Sequence, residues 1–162
     1  SIATILTMVA KKNPFMEVNK ETISDGLSNL TEESKAKWGK LSPQGMVEHL
    51  EDAYVYAMTD EEREITTPEK YLEAYAESVY NHTPFPEGTH APYGKWDGTH
   101  RNDSLDAAKK ALIEKHEEYL LFRKENPEHT AVHSVFGRLD LYEWDQVNRK
   151  HYTHHFNQFG LL

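Results

Sequence analysis

DLYEWDQVNRKHYTHHFNQFGLL, residues 140–162, opens on an acceptor and a carboxylate three residues apart, Asp140 and Glu143. That is the capping-box spacing of a helix start. Advancing about 100° per residue places Trp144, His151, His155, Gln158 and Leu162 within one narrow sector. His151 and His155 stand four residues apart on that inward face, so both imidazoles can reach one metal ion. Asn148 lies at the rim of the sector, and His154 points further to the side.

Working backwards, the nearest match for such a pair is MVEHLEDA, residues 46–53. Ser42-Pro43 places a capping residue before a proline at the first helical position. The spacing predicts a helix from there to about Met58, with Met46, Leu50, Ala53 and Ala57 as its apolar stripe. His49 sits at the edge of that stripe. A lone histidine there is more often a core imidazole bonded to a carbonyl than a ligand. Paired with His151 and His155 from a facing helix, it completes a three-nitrogen site. Three protein ligands leave coordination positions open, as a catalytic metal requires.

Elsewhere the pattern is helical. A first helix is predicted over 20–29, and a turn or short helix over Thr31 to Trp38. Thr67-Pro68 starts a helix over 68–80 with Tyr71, Leu72, Tyr75 and Val79 on its apolar side. An irregular stretch follows at 81–103, rich in proline and glycine; loops this long are usually functional. Asp103 or Ser104 caps a helix over 104–125 that buries Leu105, Ala108, Leu112, Tyr119 and Phe122, with His116 beside that stripe in a structural role. Residues 127–139 read as a second loop. His129 and His133 repeat the four-residue spacing there, but no helix holds them on one face. The expectation is an all-α fold, an up-down four-helix bundle with a short extra helix and a long loop. Residues 1–17 form an N-terminal arm and 18–162 one domain.

Composition narrows the function. Of 162 residues, 18 are Lys or Arg against 27 Asp or Glu, a formal net charge of −9. That field repels nucleic acid and anionic lipid. There is no cysteine, so disulfides, Cys-ligated zinc and a cysteine nucleophile are excluded; any thiol must arrive on a substrate. The apolar stretch Ile2–Ala10 is too short to span a bilayer. A cytoplasmic location is expected. The first residue is Ser, which fits either a removed initiator Met or a domain cut from a longer chain. There is no HExxH, no GxSxG elbow and no phosphate-cradling glycine loop.

WGKLSPQGMVEHL (38–50) and HSVFGRLDLYEWDQVNRKHYTHHFNQFGLL (133–162) together resemble the DinB-like (DinB/YfiT-like) metalloenzyme superfamily, over about residues 20–162. The nearest branch carries an HPxFG stretch and ends in KHxxHHxxQFGL. The resemblance implies a four-helix bundle with a metal at one end of its core. His49 would be the ligand on the second helix, His151 and His155 the HxxxH pair, and His154 a non-ligand. Ser134 stands where that branch has proline, and Gly45 where it has a larger residue. Characterised relatives include bacillithiol-dependent thiol transferases and a mycothiol-dependent isomerase, in which the metal ionises the cosubstrate thiol. Others are described as metal-dependent hydrolases, and many are dimers.

The expected function is therefore a metal-dependent thiol S-transferase or hydrolase. It uses a divalent ion, zinc or nickel, on His49, His151 and His155 and acts on a small-molecule substrate, with a homodimer as the expected assembly. Asp52, Asn148 and Gln158 are, by helical position, the candidates to receive the ligands' second ring N–H. The alternative is a non-catalytic bundle whose metal is a structural pin, serving as a ligand-binding or dimerisation module.

Overall fold

The computed structural model describes residues 12–88 and 96–162. Most of the expected N-terminal arm, with its apolar Ile2–Ala10, and the middle of the 81–103 stretch lie outside the described residues. The described residues form five helices and one hairpin: α1 (Lys20–Ser28), α2 (Pro43–Met58), α3 (Glu69–Ser78), α4 (Leu105–Glu125), β1 (Thr130–His133), β2 (Gly137–Asp140) and α5 (Leu141–Gln158). No helix among the described residues is long and apolar enough to cross a membrane.

Side-chain caps set four of the five helix starts by satisfying amide groups that lack an intrahelical acceptor. Ser42 Oγ accepts from Gly45 N at 2.9 Å, with Pro43 in the first turn. Ser104, rather than Asp103, caps α4 through Ala107 N. Asp140 and Glu143 form the reciprocal capping box at the head of α5. Asn19 and Thr22 make a second such box on α1. Only α3 lacks a side-chain cap.

The core lies between α1, α2, α4 and α5, with Ile23, Met46, Leu50, Leu112, Trp144, Tyr152 and Phe156 almost wholly buried. Lys20 pairs with Glu117 while Lys109 Nζ donates to the Leu30 carbonyl, so α1 and α4 run in opposite directions. Glu48 binds Asn102 ahead of α4, and Tyr54 meets His116 and Tyr119 further along, so α2 and α4 run the same way. His116 has the structural place expected of it: its Nδ1 is 2.9 Å from Tyr54 Oη, which lies 3.0 Å from Tyr152 Oη.

Two expectations need correction. The fold is not all-α: part of the expected loop 127–139 is an antiparallel hairpin, Thr130 opposite Asp140 and His133 opposite Gly137. Four-residue strands are too short for a period of two to stand out. Their pairing is supported from far away, by Trp144 Nε1 on the Ala131 carbonyl and Thr66 N on the Ser134 carbonyl. Of the two forms open for residues 31–38, turn or short helix, the chain takes the turn: Ser34 Oγ accepts from Thr31 N and Lys37 N donates to the Gln158 carbonyl at 2.7 Å instead of one turn back. On α3, Tyr71 and Tyr75 are exposed, and only the adjoining Val79 is buried.

Close packing makes one position unforgiving. A Cβ on Gly26 of α1 would collide with the Phe156 ring. Helix propensity alone favours alanine over glycine by about 1 kcal/mol. Overpacking costs about 1–3 kcal/mol, so Gly26→Ala is expected to lower the urea midpoint. An unchanged or raised midpoint would show that the ring has room to yield.

Candidate metal centre

Ser42 and Pro43 fix the start of α2 and so the direction in which His49 projects, in its second turn. The Asp140–Glu143 box does the same for α5, which presents His151 and His155 a turn apart. The three ligand-capable side chains come together: one nitrogen from each lies within 4.8 Å of the others. His49 Nε2 and His151 Nε2 are 2.8 Å apart. Ring centroids are separated by 4.7, 4.8 and 4.7 Å around the triangle, and the rings stand at steep angles to one another. Zinc–imidazole bonds of about 2.0–2.1 Å put two ligand nitrogens of one ion about 2.9–3.4 Å apart, close to the observed His49–His151 separation. The residues present therefore fit a shared cation.

A side chain three residues on fixes the protonation of one ring. Gln158 Nε2 donates to the Trp38 carbonyl at 2.9 Å. A carbonyl only accepts, so the NH2 end of the amide must face Trp38 and the oxygen must face back. That oxygen lies 2.7 Å from His155 Nδ1, so His155 carries its proton on Nδ1 and Nε2 keeps a free lone pair. This is the support a ligating histidine requires. Replacing Gln158 with leucine is expected to weaken metal affinity by about 10–100-fold. Competition against a chelator of known affinity reads this directly; unchanged affinity would mean the amide does not orient the ring.

Of the other two candidates for that duty, Asp52 is paired with Arg101 at 2.8 Å. Asn148 is buried, and its Oδ1 has no hydrogen-bond partner among the described residues. Neither makes a hydrogen bond to the three rings among the described residues.

Burial pushes all three histidines down from their ordinary value, with neighbouring histidines adding to the effect. His49 falls to about 4 and His155 to about 3, and His151 falls well below the usual range. At neutral pH the rings are uncharged, the form that binds metal. His154, His133 and the triad's other members push the rings further in the same direction. Glu48 adjoins His49 in sequence but faces away. Its carboxylate accepts from Arg101 N at 2.8 Å and Asn102 N at 2.9 Å. Burial pushes it up, but these amide bonds outweigh that and hold it below the ordinary carboxylate range.

Aromatic side chains flank the triad. His154 lies beside His155 at 4.9 Å, Trp38 at 5.4 Å and Phe85 at 6.3 Å. Phe85, in an irregular segment, carries no sequence signal for this place; Trp38 opens the stretch that bears the family resemblance, but nothing in it points to the metal centre. The second HxxxH pair does not assemble a site with the triad: His129 packs edge-on to Phe122, and His133 Nδ1 accepts from Val135 N and Phe136 N.

No family model matches the chain, and neither a curated protein nor a solved structure matches it.

Proposed function

We propose that the protein is a metal-dependent enzyme in which His49, His151 and His155 hold one divalent ion, zinc or nickel. A thiol cosubstrate or water would take the side that the protein leaves open. The observation that carries this reading is the convergence of three neutral imidazoles from two helices, with His155 held in its ligating tautomer by Gln158. Neutral imidazoles suit both metals.

When bound, such an ion supplies a Lewis acid that ionises a thiol outright or brings the pKa of water to about 7. The chain's own part is to present uncharged donors and orient them. An incoming anionic ligand would balance part of the dication's charge. The flanking Trp38, Phe85 and His154 offer that ligand an apolar and aromatic surround. In the same reading α1, α2, α4 and α5 form a DinB-like four-helix bundle whose second and third members run parallel, with α3 as its short extra helix.

Protein prepared without a metal-affinity column and loaded with cobalt(II) tests the proposal. One ion per chain is expected, with a sulfur-to-metal charge-transfer band on addition of a small thiol, or hydrolysis of an activated ester. Cobalt taken up with no response to thiol and no hydrolysis would make the ion a structural pin and overturn the enzyme reading.

A further inference from the structure

Helix α2 has a gap on the face that carries His49. Residues four apart share a helix face, and Gly45 stands one turn, about 6 Å, ahead of His49. A Cβ at Gly45 would come within 3.0 Å of Cε2 and Cζ2 of Trp96. The indole therefore fills the space that a side chain at 45 would occupy.

The segment that brings Trp96 there is pinned along the helix at several points. Ser42 Oγ, besides capping α2, lies 2.7 Å from His100 Nε2. Trp96 stacks on the His100 ring at 5.6 Å, and its Nε1 donates to the Thr99 carbonyl at 3.0 Å. Further along, the Glu48 carboxylate holds the amides of residues 101 and 102, and Arg101 pairs with Glu51 and Asp52 at 3.0 and 2.8 Å. The indole is thus a built wall, set from the same helix that positions His49.

We propose that Trp96 determines ligand size: its indole walls the His49 side of the metal centre and restricts the open position to slim anions. The proposal rests on the metal-centre reading above. A flat, apolar ring leaves a two- or three-atom anion unaffected and obstructs one that carries its own ring at the donor atom.

The test uses the full chain loaded with cobalt(II), titrated separately with azide and with benzenethiolate and followed by absorption. In Trp96→Ala, azide affinity should stay within about twofold, while benzenethiolate should gain about tenfold, the lower end of what a pocket wall contributes to discrimination. Trp96→Phe, which keeps a smaller ring over Gly45, should fall between. Full cobalt uptake by each variant reports that the centre is still assembled. Equal changes for both anions, no change, or weaker benzenethiolate binding would overturn the role of Trp96 and leave the metal centre standing. Wild-type protein that takes up no cobalt would overturn both.

Discussion

Replacing His151 with alanine is expected to strip the metal centre of most of its affinity. His151 Nε2 lies 2.8 Å from its counterpart on His49, and its ring centroid is 4.7 Å from those of both His49 and His155, so it links the two helices. Without it, one donor remains on α2 and one on α5. Site-binding free energies for structural zinc are about 10–16 kcal/mol. Losing about a third of the lower figure is roughly 3 kcal/mol, or about two orders of magnitude in affinity. Chelator competition measures it, and stoichiometric retention of metal at wild-type affinity would remove His151 from the ligand set. Metal-free His151→Ala should also resist mild acid better than the metal-free parent, because it no longer buries that imidazole.

Acid is the second large lever. A histidine free in the unfolded chain titrates near 6.5, whereas in the fold His49 is pushed down to about 4 and His155 and His133 to about 3, all chiefly by burial. Below pH 6.5 the unfolded chain therefore binds protons that the folded chain refuses, and stability falls as pH falls until the folded values are reached. At pH 5 each such histidine costs about 2 kcal/mol. Several together, even if far from additive, consume a large part of the 5–15 kcal/mol typical of a domain. Metal-free protein should show a level melting temperature above about pH 7 and a steep decline between pH 6.5 and 4. Bound metal should raise the whole curve at neutral pH and lose that advantage as protons compete for the rings. A melting temperature constant down to pH 4 would mean the rings are not buried uncharged.

Where local chemistry decides the structure, it was readable in the sequence. Ser42-Pro43 and Asp140…Glu143 start their helices where the capping pattern puts them, and four-residue spacing puts His151 and His155 on one face. Gln158 was also reachable, three residues beyond His155 on the same sector. Asp52 illustrates the boundary. It has the same relation to His49 that Gln158 has to His155, yet Arg101, from a segment 49 residues away, takes it. The hairpin escaped because each strand offers too few positions to show its period, and its carbonyls find donors on Thr66 and Trp144. The missing side chain at Gly45 has its reason in Trp96, whose ring, 51 positions along the chain, fills that space. Tyr71 and Tyr75 repeat at a helical interval on α3 yet face outward; periodicity reveals a face without revealing whether anything covers it.

The two halves of the triad stand in very different relation to chain entropy. His151 and His155 become neighbours as soon as one turn of α5 winds, a matter of microseconds or less. His49 joins them only across a sequence separation of 102, at the end of a search that topology makes slow. Stopped-flow mixing of refolding chains with a chromogenic cation should therefore resolve a fast, weak bidentate phase before a slow, tight one, so the ion acts as a clock for the docking of the two helices.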